Sequence, residues 1–145
     1  MRTRQNIGRH LRRGNAVLDA ALVLPILLSL TFGTVEYGYF FFVKHSLQGA
    51  AREGCRTAIT PTADNSQVTY AIATALKAAG LNNGTTTLDA KYTLTLTPSN
   101  VSGVAAGTQV TVQLDCNWGN IGVRPLGLIG TSKVVRGTTV MRKEG

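Results

Sequence analysis

The sequence predicts an α+β chain: a long N-terminal helix that crosses a membrane and continues into a small exported domain with a second helix and a three-stranded antiparallel sheet. Three observations lead there. A run of apolar residues comes after an arginine-rich start, helical periodicity persists beyond that run, and the last third of the chain alternates apolar with polar residues. Helices followed by strands, with no internal repeat, indicate α+β rather than alternating α/β.

The opening residues, MRTRQNIGRHLRRG, hold five arginines and no acid. From Ala20 to Val35 no residue is charged, and continuing to Val43 gives about 24 residues, roughly 36 Å of helix at 1.5 Å per residue. That length spans the hydrocarbon core of a bilayer with some tilt. The segment closes on Tyr37, Tyr39, Phe40, Phe41 and Phe42, then Lys44 and His45, the aromatic belt and cation of a helix leaving lipid. The positive-inside rule keeps the N-terminus in the cytoplasm and exports the residues after Val43. A secretory signal peptide would have a shorter core and a small-x-small cleavage site after it, and a soluble core helix would be amphipathic. The boundaries expected are a basic leader over 1–14, the membrane helix over 15–43 and the exported domain over 44–145.

The helix is expected to run unbroken from Asn15 to Ile59, with Pro25 as its one kink site. Ala16/Ala20 and Ser29/Gly33 are small pairs spaced for close helix approach. Beyond the membrane, Leu47, Ala50, Ala51, Cys55 and Ile59 share a face, so the helix becomes a spine for the domain. Pro61 ends it. A second helix is expected over Ser66 to Ala79, capped by Asp64 or Asn65, with Val68, Ile72, Ala75, Leu76 and Ala79 inward. Strands are expected within Thr85 to Thr97, over Thr108 to Trp118 and over Lys133 to Lys143. Their inward candidates are Leu88, Ala90, Tyr92, Leu94 and Leu96; Val110, Val112, Leu114 and Cys116; and Val134 or Val135, Thr139 and Met141. Between the last two strands, Gly119 to Gly130 is a glycine-rich connection with room for one helical turn.

The acids in the apolar stretch carry the most information, because a charge at the centre of a membrane helix costs about 2.5–3.5 kcal/mol on insertion scales. Asp19 lies just inside the stretch and Glu36 deep in its second half. Each needs a partner or a place at the headgroup level.

Gly14, then an acid five residues on, then an unbroken apolar run, resembles a type IV prepilin processing site. The resemblance implies cleavage by a prepilin peptidase between Gly14 and Asn15. It also implies that Asp19, the fifth mature residue, meets the new N-terminal amine of a neighbouring subunit and sets helix register. Most prepilins carry Glu followed by an aromatic, where this chain has Asp19 and Ala20. A narrower resemblance, to the TadE-like family of tight-adherence (Flp) pilus systems, rests on Leu24-Pro25, on Phe32-Gly33 with Glu36-x-Gly38, and on Ala50-Ala51-Arg52-Glu53-Gly54. It implies a minor pilin or pseudopilin at the bacterial inner membrane, a single-pass chain with a cytoplasmic N-terminus and a periplasmic domain. Its implied partners are pilin-like subunits and pilus assembly proteins. Alternatives from other classes are an unprocessed inner-membrane assembly factor and an exported adhesion or nucleic-acid-binding module.

Charge argues against nucleic acid as the partner. The net charge of +8 comes from 15 basic and 7 acidic residues. The leader supplies five of the former and none of the latter, leaving 10 − 7 = +3 for the remainder. A topology signal explains this better than a groove-reading face. Cys55 and Cys116 are both expected inward on the exported, oxidising side. A disulfide between them would staple sheet to spine; two buried free thiols are the other reading. His10 and His45 have no relay partner, and the histidines and cysteines have no metal-ligand spacing. No enzyme activity, metal or cofactor is therefore expected.

Overall fold

The computed structural model describes residues 8–144, with side chains described from Ala16 onward. Residues 1–7 of the expected 1–14 leader, and the surroundings of Gly14 and Asn15 at the expected processing site, lie outside the described residues.

Helix α1 runs over Gly8–Ala58, 51 residues in which Pro25 causes no break. Two hydroxyls of its apolar half are satisfied within the helix. The hydroxyls of Thr31 and Thr34 donate to the carbonyls of Leu27 and Leu30, both at 2.8 Å, as membrane helices require. Helix α2, Asn65–Ala78, begins with a capping box in which the Asp64 carboxylate accepts from the Gln67 amide and the Gln67 side chain accepts from the Asp64 amide. Val68, Ile72, Ala73 and Leu76 form its buried stripe.

Strands β1 (Tyr92–Thr97), β2 (Gln109–Asn117) and β3 (Val134–Arg142) make one antiparallel sheet in the order β1-β2-β3. Tyr92 faces Cys116, and Cys116 faces Val135. Of the two valine candidates in β3, Val135 is the inward one and Val134 is 45% exposed. Strand β1 starts later than its alternating pattern suggests. Asn82 takes Thr85 to Asp89 into a turn, its amide donating to the carbonyls of Gly84 and Thr87 while its side-chain oxygen accepts from the Asp89 N–H. The Asp89 carboxylate accepts in turn from the Asn83 amides. Local side-chain hydrogen bonds thus outcompete strand pairing.

The core lies between α1, α2 and the sheet, where Leu47, Ala51, Cys55, Ile72, Leu76, Val112, Leu114 and Trp118 are fully buried. Two glycines allow the close contacts. A Cβ on Gly54 would meet the Ile72 side chain at 2.5 Å, and one on Gly137 would meet the Leu47 carbonyl at 2.5 Å. The Gln48 amide joins α1 to β3, donating to the Thr138 carbonyl at 2.7 Å and accepting from the Thr138 N–H at 3.2 Å. At the far end of α1, Lys143 is buried and donates to the carbonyls of Ala58, Thr60 and Val101. Such a cation satisfies the free carbonyls of a helix C-terminus and suits its dipole.

The expected Cys55–Cys116 disulfide is not formed; both thiols are free and buried. Cys55 donates to the Val110 carbonyl at 3.5 Å, whereas Cys116 lies six positions further along β2, about 20 Å away at 3.3 Å per residue. A disulfide needs Cα atoms within about 7 Å. The pattern placed both residues inward correctly but not at the same end of the sheet. Burial pushes both thiols above their ordinary pKa.

Candidate functional site

Between Ala16 and Leu30 every side chain of α1 is exposed, with Leu18, Leu22, Ile26 and Leu30 each more than 60% open. This stretch lies within the described helix long and apolar enough to cross a membrane. Asp19 is on its exposed surface, as is Pro25.

The domain does not begin at the aromatic belt. Its contact stripe descends α1 through Leu47, Val43, Phe40 and Glu36 to Gly33, at alternating three- and four-residue intervals. Phe40 meets the buried Trp118 edge to face at 5.2 Å, and Tyr39 meets it at 5.9 Å. Trp118 opens a short 3₁₀ turn, Trp118–Asn120. Gly122 packs directly on its ring, where any Cβ would collide with the indole. From there the connection drops along the helix and returns to β3.

Under that connection, on α1, is Glu36, fully buried. Its carboxylate accepts the backbone N–H of Ile129 at 2.8 Å and of Leu126 at 3.3 Å. Gly127, at φ +66°, reverses the chain between these donors, a conformation that glycine adopts without strain. Successive amides turned inward in this way form an anion-binding nest. Glu36 therefore has its partner in its own chain, on backbone amides about 90 residues away in sequence. Sequence reasoning missed this pairing, although Leu126-Gly127-Leu128-Ile129 offered the signal: apolar flanks around a residue free to take positive φ.

The other motif residues divide into packing and surface. Gly33 receives the Leu128 side chain, at 3.5 Å from where its Cβ would be, and Gly54 makes room for Ile72. Gly38 has open space around it. Arg52 and Glu53 project from the spine into solvent, as do Lys44 and His45. Among the described residues, no three His, Cys, Asp or Glu side chains gather as a metal site. The bidentate Arg136–Asp115 pair, at 2.7 and 2.9 Å, sits on the sheet face. Burial raises the Asp115 pKa, but the hydrogen bonds from Arg136 and Gln113 outweigh it and hold the carboxyl below its usual range.

No curated protein and no solved structure matches the chain. The model of the family described as TadE-like protein matches residues 14–56, from the glycine before the apolar run to just past the Ala50–Gly54 cluster. That N-terminal segment of the chain is similar to the TadE-like family, and it lies largely in the helix long and apolar enough to cross a membrane.

Proposed function

We propose that the protein is a pilin-like assembly subunit, a minor pilin or pseudopilin of a tight-adherence pilus or related secretion machine. It would be anchored in the bacterial inner membrane with its N-terminus cytoplasmic and its α+β domain periplasmic. One observation carries this reading: α1 is continuous from Gly8 to Ala58, yet among the described residues its side chains from Ala16 to Leu30 are all exposed while those of its second half are built into the domain. An apolar helix projecting from a rigid domain is made to be covered from outside, by lipid and by the helices of other subunits.

In this reading the leader is removed after Gly14, leaving Asn15 as the new N-terminus. Asp19 then pairs with the amine of a neighbouring subunit, because an ion pair is the least costly state for a carboxylate in lipid. Arg52 and Glu53, exposed on the spine beyond the membrane segment, are available to assembly partners. The protein acts by association, not catalysis. With Glu36 satisfied internally, Asp19 is the anchor acid left to recognise another subunit.

Substitution of Asp19 tests the reading. Asp19→Ala is expected to insert normally but abolish pilus assembly when it replaces the wild-type chain in cells, and Asp19→Glu is expected to restore assembly. Normal piliation with Asp19→Ala would overturn the register role. A static, unprocessed assembly factor would assemble pili regardless of either substitution.

A further inference from the structure

The connection between the 3₁₀ turn and β3 exposes a set of large apolar side chains. Val123 is 49% exposed, Leu126 41% and Leu128 54%. Exposed leucines on a loop are ordinary singly, but these lie on a loop whose position along the anchor is fixed by the Glu36 clasp. From Ala16 to Glu36 is twenty residues, about 30 Å of helix, which equals the thickness of the hydrocarbon core. Leu128 reaches further down. It shares a groove with Ser29, Leu30, Gly33 and Thr34, about one to two turns to the membrane side of Glu36.

We propose that residues 123–129 form a membrane-inserted wedge, with Leu126 and Leu128 buried in the acyl region of the leaflet on the domain's side. The proposal rests on the transmembrane placement of α1 in the proposed function. Three features of the loop identify lipid as its occupant. Its apolar surface is continuous with the exposed surface of the anchor, where Leu30 is 68%, Val35 50% and Phe41 52% open. Its amides at Leu126 and Ile129 are already bonded to Glu36, which removes two backbone donors from the cost of bringing the loop against an apolar layer. Finally, Arg124 on the loop, Lys44 on the anchor and Lys133 just before β3 are all exposed, and Lys44 and Lys133 flank one groove beside Phe40. These cations sit where lipid phosphates would meet them.

The clasp gains a purpose from this arrangement. Glu36 neutralises the backbone dipoles of the wedge, and the wedge shields the Glu36 charge from lipid. Together they would fix the depth and tilt of the domain over the bilayer, which a single helix cannot do alone.

The experiment uses the full-length chain in phosphatidylcholine/phosphatidylglycerol vesicles whose acyl chains carry bromine. Single variants Leu126→Trp, Leu128→Trp, Leu27→Trp and Ser102→Trp are compared with the parent, whose Trp118 provides a constant background. Quenching of the added fluorescence at 126 and 128, to at least about half the extent at 27, with none at 102, is expected. Quenching at 27 but not at 126 or 128 would overturn the wedge and leave the anchor standing. Blue-shifted but unquenched emission at 128 would also overturn it, because protein and not lipid would then cover the loop, as with a second copy of α1 in the groove. Absence of quenching at 27 would overturn the anchor and the wedge together. A measurement without substitutions repeats the test: a lipid-phase spin label should broaden the Leu128 methyl resonances of the wild-type chain in nanodiscs, and sharp resonances there would contradict the proposal.

Discussion

Between Ala16 and Leu30 helix α1 turns every side chain outward, whereas from Gly33 to Ala58 every third or fourth residue is buried against the domain. Both regions are apolar and share one helix. What separates them is a contact stripe, and Gly33, Glu36, Phe40, Val43 and Leu47 supply it. Hydropathy alone reads the belt Tyr37 to Phe42 as lipid-facing. In the structure Phe40 and Tyr39 instead turn toward Trp118, while Tyr37, Phe41 and Phe42 stay outside. A membrane-spanning length says where a helix can lie, and periodicity says which of its faces are already occupied.

The largest effects should come from closing the gaps that let the domain pack on the second half of α1. Gly137→Ala puts a Cβ against the Leu47 backbone, which cannot swing away as a side chain can. A loss of about 1–3 kcal/mol is expected in urea unfolding of the full-length chain in detergent. Gly54→Ala meets only the Ile72 side chain and should cost less. Gly38→Ala, with open space around it, should cost nothing and serves as the control. Equal effects at 137 and 38 would erase the difference between a packed and an unpacked helix face.

Next in size is the clasp. Glu36→Gln keeps the shape but removes the charge that strengthens its hydrogen bonds. Amide exchange at Leu126 and Ile129 should quicken by about tenfold, and Glu36→Leu should quicken it further. Asp19→Asn, on the unpartnered half, should leave both amides unchanged.

A smaller effect concerns pH. The folded domain lowers the pKa of Asp115 through Arg136 and Gln113, and that of Asp64 through the Ser66 hydroxyl and the Gln67 amide. A lowered carboxyl contributes stability that is fully present above its unfolded value, about 3.9, and is lost as pH falls through the folded value. Thermal unfolding should therefore be insensitive to these two groups at neutral pH and drop by a few degrees below about pH 4. Asp115→Asn should reduce that acid sensitivity.

The smallest expected effect is none. Both thiols are free, so dithiothreitol should leave the melting temperature unchanged. Their raised pKa and burial should keep both from alkylation until the domain unfolds.

Much of this architecture was legible because it depends on local pattern. The spine face, a cap at Asp64 or Asn65, the stripe Val68-Ile72-Leu76 and the strand alternation all come from local pattern. The parts that were not legible depend on contacts distant in sequence. Glu36 announced only that it needed a partner, and nothing near it named Leu126 and Ile129. Cys55 and Cys116 were both correctly inward, but pattern cannot report which end of a strand lies over which turn of a helix. The late start of β1 reflects Asn82 and Asp89, whose side chains bind the backbone more effectively than the alternation at Leu88 and Ala90 could recruit a neighbouring strand. As for the site, Gly14 and Asp19 were read from spacing alone.

The most direct test of the pilin-like reading is therefore the intact mass of the protein recovered from membranes, with and without a prepilin peptidase. The account predicts a chain beginning at Asn15 that appears only when the peptidase is present. A chain that retains its arginine-rich leader in both cases would contradict it and make the protein a fixed anchor beside the pilus machine.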